Sequence, residues 1–139
     1  MNLSLQVEII LRLLLAAGLS AAVGYQRERF RKAAGLRTHI LIGVGAALFT
    51  LVSIYGFEGA VDPSRVAAGV VAGIGFIGAG VIFRGMRGEH EEGVAGLTSA
   101  ACIWITAAIG LAAGAGMYLI SAVATAITVG VLMLPKIRG

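Results

Sequence analysis

Charged residues are scarce in this chain of 139 residues. Only 13% of its residues are charged, whereas soluble domains carry about a quarter. Hydrophobic residues make up 58% of the chain, and the mean hydropathy is +0.94. This composition excludes an ordinary soluble enzyme, because such a protein has many charged residues on its surface. It also excludes a disordered segment, because disordered segments contain few apolar residues. We therefore expect an all-α polytopic membrane protein.

Cysteine and acidic residues are also few. The single cysteine, Cys102, excludes an internal disulfide and a Cys-based zinc site, and we interpret it as a small apolar packing residue. The formal net charge of +4 would suggest nucleic acid in a soluble protein. In a membrane protein it indicates loops that face an anionic lipid surface, so we expect the lipid bilayer and no nucleic acid as a partner. We expect no cofactor.

The uncharged stretches mark the membrane spans. Gly93–Pro135 would extend about 64 Å as one helix, against a hydrocarbon core of about 30 Å, so it must fold back once. The small-residue tract Ala113–Gly116 is the natural turn. The pattern predicts one transmembrane domain over residues 1–139 with five spans, at residues 4–25, 38–57, 64–83, 97–112 and 117–134.

The positions of lysine and arginine predict the orientation. With the N-terminus outside and the C-terminus inside, nine of the eleven fall on the cytoplasmic side, as the positive-inside rule requires. They are Arg27, Arg29, Arg31, Lys32, Arg37, Arg84, Arg87, Lys136 and Arg138. The exceptions are Arg12, inside the first span, and Arg65, on the outer side.

Glycines crowd the third span. Residues 73–78 match G-x-G-x-x-G, but a dinucleotide site needs this pattern at a strand-to-helix turn of a soluble domain, which a membrane span is not. Small residues at helical spacing let neighbouring helices approach closely. The pattern therefore predicts that the third span is the buried centre of the bundle, packed through Gly69, Gly73, Gly75, Gly78 and Gly80.

Two pairs of polar residues lie within or beside the spans. Glu8 and Arg12, spaced i, i+4, can form an ion pair, either as a functional polar site or as a pair that the membrane merely tolerates. Asp62 and Arg65 precede and open the third span. Asp62 suits a helix N-cap, and a cation site at the outer mouth is the alternative.

Two polar clusters lie in loops. The basic stretch from Arg27 to His39 fits contact with lipid phosphates, with Thr38 as a cap for the second span. Glu89-His90-Glu91-Glu92 has the residue types of a metal site, although four adjacent polar residues in a loop are more often a solvated turn. The metal, if any, stays unknown.

Several of these segments together resemble the transmembrane domain of the MgtC/SapB family. They are Arg27-Glu28, Ala34–His39, Asp62–Ala68, Gly73–Arg84 and Gly96–Ala101, in the family's order over nearly the whole chain. The resemblance implies a bacterial inner-membrane protein with five spans. On these motifs it also implies candidate functional residues: Arg27, Glu28, Arg37, Thr38, His39, Asp62, Arg65, Arg84 and Thr98.

The resemblance further implies a function in magnesium homeostasis and growth in low magnesium, with virulence in some pathogens. It implies ATP synthase as a membrane-protein partner. The soluble C-terminal domain of many members is not in this sequence, which is either a short form or a truncated one. We favour a non-enzymatic regulator that acts through membrane partners, since no nucleophile–base pair lies in the spans.

A transporter or channel for Mg²⁺ or another small ion is the alternative. A dehydrated cation needs oxygen ligands at mid-depth, and Glu8 is the only acidic side chain in any predicted span. Glycine on two sides of the third span also predicts a homodimer, since small-residue faces mediate helix association.

Overall fold

The computed structural model describes residues 1–86 and 96–135, and the side chains of all of these except residues 85 and 86. This part of the chain folds into five α-helices, as predicted. They are α1 (Leu3–Arg29), α2 (Leu36–Tyr55), α3 (Ser64–Met86), α4 (Leu97–Gly114) and α5 (Tyr118–Leu132).

Four of these helices, α1 to α4, are long and apolar enough to cross a membrane. The fifth has 15 residues and is about 22 Å long at 1.5 Å per residue, shorter than a hydrocarbon core of about 30 Å. The predicted turn before α5 is present. Gly116 has a φ of 86° there, a conformation that glycine adopts without steric cost.

The centre of the bundle is α4. It contacts each of the other four helices, and half of its most apolar stretch is buried, compared with 11% for α3. Helix α3 lies at the edge, packed on α4 and less closely on α2. The prediction that the third span is the buried centre is therefore wrong for the single chain.

The small residues that do pack are on α2 and α4. A Cβ atom placed on Gly110 would lie 2.9 Å from the Cα of Gly43, and one on Gly114 would lie 2.7 Å from the carbonyl oxygen of Ala47. Gly110 and Gly114 are spaced i, i+4, as are Gly43 and Ala47, so two small-xxx-small motifs face each other. This contact replaces the one predicted for α3.

The glycines of α3 behave differently. Nothing lies within 4 Å of a Cβ placed on Gly69, Gly73, Gly75 or Gly80. Among the α3 glycines up to residue 84, whose surroundings the structure describes, only Gly78 has a neighbour, Ala100 of α4, at 3.6 Å. A role for the four open glycines in contacts beyond the chain stays a prediction.

Four threonine hydroxyls inside the bundle bond to the backbone of their own helices. Each of these threonine hydroxyls donates to the carbonyl oxygen four residues earlier, at 2.7–2.8 Å: Thr50, Thr106, Thr125 and Thr128. Such bonds satisfy a polar group that would otherwise be buried in an apolar medium without a partner. Cys102 is buried beside Val23 and Ile109, as predicted.

The start of α2 is capped from another helix. The N-cap residue, Gly35, has no side chain that could accept a backbone N–H, and Glu28 Oε1 of α1 accepts the N–H of Leu36 at 3.0 Å instead. Thr38 lies within the first turn of α2 and is exposed, so the prediction that it caps this helix is wrong. Glu28 thus fixes the short connection between α1 and α2.

Replacing Gly110 with alanine should destabilise the bundle. Its Cβ would overlap the backbone of α2, and overpacking of this kind costs about 1–3 kcal/mol. Gly75→Ala is the matched control, because its Cβ meets open space and alanine favours the helix by up to about 1 kcal/mol. Thermal unfolding in detergent should show a lower Tm for Gly110→Ala alone. Equal Tm values for the two variants would contradict the α2–α4 contact.

Candidate functional sites

The first polar cluster, the Arg12 cluster, joins four parts of the fold around one guanidinium. Arg12 Nε donates to Glu8 Oε2 at 2.9 Å, which is the predicted i, i+4 ion pair. Arg12 Nη1 donates to the carbonyl oxygen of Gly114 at 3.0 Å, at the end of α4. The guanidinium also lies 5.7 Å from the ring centroid of Tyr55, at the end of α2, and the Tyr118 hydroxyl donates to Glu8.

This geometry makes the Arg12 cluster a clamp between helix ends. A cation at the C-terminus of a helix interacts favourably with the helix dipole and with unpaired carbonyl groups. The side chain of Arg12 is 13% exposed, so it points into the bundle and not toward a second subunit.

The second polar cluster, the Arg27 cluster, lies near the other end of α1 and comprises Arg27, His39, Ser99 and Cys102. Arg27 is 4% exposed, and its Nη2 donates to Ser99 Oγ of α4 at 2.8 Å. His39 is fully buried, with its Nδ1 2.8 Å from the carbonyl oxygen of Gly35. Because a carbonyl oxygen only accepts, Nδ1 carries the proton of this bond.

The Arg27 cluster carries a buried positive charge. Within the described residues no carboxylate pairs with Arg27, and both Arg27 Nε and His39 Nε2 are buried without a hydrogen-bond partner. An uncompensated buried charge costs several kcal/mol in a medium of low dielectric constant. Arg27 therefore lowers the stability of the fold, and this favours a functional role for its side chain over a structural one.

Asp62 and Arg65 lie at the start of α3 and are both exposed. Asp62 Oδ1 accepts from the backbone N–H of Ser64 at 3.0 Å and from its hydroxyl at 2.7 Å. These bonds hold the pKa of the Asp62 carboxyl below its usual value. The predicted capping contact is thus present, and no ion pair joins Asp62 to Arg65 in the described part of the chain.

The remaining candidate residues lie apart from these clusters. Arg37 and Thr38 are exposed at the start of α2, Arg84 is exposed near the end of α3, and Thr98 is exposed in the first turn of α4. The acidic cluster at residues 89–92 lies outside the described residues. Residues 1–86 and 96–135 contain no group of three His, Cys, Asp or Glu side chains able to hold a metal ion.

Sequence reasoning missed the contact partners Ser99, Gly114 and Tyr118. Ser99 belongs to the Gly96–Ala101 motif, and Tyr118 follows a predicted turn. Nothing in the sequence near either residue indicates which residue of α1 it contacts. The contacts join residues more than 70 positions apart, and periodicity along one helix does not contain such information.

The two buried arginines should differ when replaced by methionine. Arg12→Met removes the ion pair and a charge-assisted hydrogen bond to Gly114, a bond that contributes about 1.5–3 kcal/mol. Arg27→Met removes one hydrogen bond but also the cost of a buried charge, so its free energy of unfolding should stay within about 1 kcal/mol of the wild type. Thermal unfolding in detergent measures both, and equal losses would show that Arg27 is structural.

Comparisons with known proteins agree with the resemblance in the sequence. The "Putative magnesium transporter YhiD" of Escherichia coli K12 is 52% identical over 118 residues, which are 80% of this chain and 53% of that protein. "Protein MgtC" of Brucella abortus is 43% identical over 122 residues, 86% of this chain and 49% of that protein. "Protein SrpB" of Synechococcus elongatus is 41% identical over 125 residues, 84% of this chain and 69% of that protein.

The chain spans about half the length of the YhiD and MgtC relatives that it matches. No solved structure matches it. The model of the MgtC family matches residues 13–137, which is most of the sequence and all of α2 to α5. With four helices long enough to cross a bilayer, the chain is a multi-pass membrane protein, and it belongs to the MgtC family.

Proposed function

We propose that this chain is a non-enzymatic inner-membrane regulator of magnesium homeostasis that acts through membrane-protein partners. The observation that carries the proposal is the closed centre of the bundle. There the backbones of α2 and α4 touch at Gly43 and Gly110, with no space for even a methyl group. A cation, hydrated or dehydrated, needs more room than this and needs several oxygen ligands.

The charge of the Arg27 cluster supports the same proposal. The Arg27 cluster adds a positive charge near one end of the bundle, and a positive charge repels Mg²⁺.

The second candidate function is magnesium transport. It is favoured by the name of the Escherichia coli relative, which is 52% identical and is called "Putative magnesium transporter YhiD". ATP synthase is the partner that the resemblance implied for the regulator, and we keep it as part of that proposal. The open side of α3 that carries Gly75 is the surface that we assign to a homodimer.

Reconstitution separates the two functions. Liposomes that contain the purified chain and a Mg²⁺-sensitive dye should take up Mg²⁺ no faster than empty liposomes, while liposomes with an established magnesium channel report that the assay works. Uptake that rises with the amount of chain would overturn the regulator and establish transport. In a strain without its own family member, the wild type should support growth in low magnesium, whereas the stable Arg27→Met variant should not.

We also propose five crossings with the N-terminus outside. Helix α5 is short, but it runs alongside α1 from Tyr118, which contacts Glu8, to Leu132, whose carbonyl oxygen accepts from Gln26 Nε2 at 3.2 Å. The stretch of α1 from Glu8 to Gln26 is about 27 Å long, close to the thickness of a hydrocarbon core. The lysine and arginine bias sets the direction.

A reporter that is active only in the cytoplasm, fused after Arg138, should be active. A second fusion in the α2–α3 connection, after Gly59, is the control and should be inactive. The opposite pattern would reverse the orientation, and activity at both positions would remove one of the crossings between them.

A further inference from the structure

The crevice between α2 and α3 contains two cavities in series. The first, of about 380 Å³, lies at the end where α2 stops and α3 begins, and Ser53, Phe57, Asp62, Arg65 and Val66 are among its lining residues. The second, of about 610 Å³, is an apolar trench that runs between the two helices along the outside of the bundle. Val66 lines both cavities, so they are adjacent.

The trench has the length of one lipid leaflet. On α3 its lining extends from Val66 to Ile77, which is about 16 Å at 1.5 Å per residue, and half of a hydrocarbon core is about 15 Å. Its α3 wall includes Gly69 and Gly73, where a Cβ would meet nothing within 4 Å. The missing side chains of these glycines are what keep this wall open.

The trench faces the bilayer and not the core. Three of its lining side chains are strongly exposed: Leu41 at 71%, Phe49 at 61% and Ile77 at 45%. An apolar concavity that opens sideways into lipid is suited to a flexible hydrocarbon chain. The floor is formed by buried residues such as Ala46, Ile74 and Ala107.

The mouth of the trench carries one charge of each sign. Asp62 Oδ1 is engaged by Ser64, while Oδ2 has no partner among the described residues, and Arg65 forms no ion pair there. The two groups are three residues apart and are both free to bind a ligand. A carboxylate binds an ammonium group, and a guanidinium binds a phosphate.

We propose that the α2–α3 crevice binds one phospholipid with a zwitterionic phosphoethanolamine headgroup. The ammonium lies against Asp62, the phosphate against Arg65, and an acyl chain in the trench along Gly69 and Gly73. A lipid with an anionic headgroup meets the carboxylate of Asp62 without a compensating ammonium. A phosphocholine headgroup should bind less tightly, because its quaternary nitrogen has no N–H to donate to Asp62.

Native mass spectrometry of the purified chain tests this proposal with added phosphatidylethanolamine, phosphatidylglycerol or phosphatidylcholine. One bound phosphatidylethanolamine is expected, with at least about tenfold preference over the other two lipids, the difference that one charge-assisted hydrogen bond makes. Equal retention of all three lipids would overturn the proposal.

Two headgroup variants test the assignment of charges. Asp62→Asn keeps an oxygen for Ser64 and removes the charge, so it should abolish the preference for phosphatidylethanolamine over phosphatidylglycerol. Arg65→Gln should weaken the retention of both lipids. An unchanged preference in Asp62→Asn, or unchanged retention in Arg65→Gln, would contradict the headgroup site.

Two trench variants test the acyl-chain site. Gly73→Leu fills the trench and should abolish retention, whereas Gly130→Leu, at an exposed glycine of α5 outside the trench, should leave it unchanged. Gly69→Leu is a second filling variant if Gly73→Leu does not fold. Equal effects of Gly73→Leu and Gly130→Leu would overturn the site. Dissociation of a dimer in the Gly73→Leu variant alone would also overturn the site, because it would show that a second copy of the chain, and not a lipid, occupies the trench.

Discussion

The fold depends on the direct contact between the backbones of α2 and α4. Inside a membrane, lipid tails are as apolar as leucine, so burying hydrophobic side chains gives helices little reason to associate. Close packing must supply that attraction, and it is strongest where glycine lets two backbones touch. Gly43 with Gly110, and Ala47 with Gly114, provide this contact. Helix α1 then packs on α2, where a Cβ on Gly24 would lie 2.8 Å from the Cβ of His39.

The two arginines of α1 show what the same apolar surroundings do to charge. Arg12 is compensated by Glu8, by the carbonyl oxygen of Gly114 and by the ring of Tyr55, so it ties helix ends together. Arg27 has Ser99 as its hydrogen-bond partner and no carboxylate among the described residues. A group that costs stability and is nevertheless buried between helices is a stronger candidate for function than one whose charge is fully balanced.

Because α3 lies at the edge of the bundle, most of its glycines do not pack against another helix of the chain. In a central helix they would serve packing within the chain, but Gly69 and Gly73 open onto a trench and Gly75 and Gly80 onto the outer surface. The four open glycines of α3 therefore do not serve packing within the described part of the chain, and we propose that they contact lipid or another protein.

The sequence by itself determined the class of protein, the five helices and the Glu8–Arg12 pair, because hydropathy, charge spacing and helical periodicity are local properties. It also indicated the family, through motifs that lie in order along the chain. It could not determine which helix is central. Glycine-rich motifs occur on α2, α3 and α4, and nothing local distinguishes a motif that meets another backbone from one that meets lipid. Only the tertiary structure decided that Gly110 packs and Gly73 does not, and that Arg27 meets Ser99, because these contacts join distant parts of the chain.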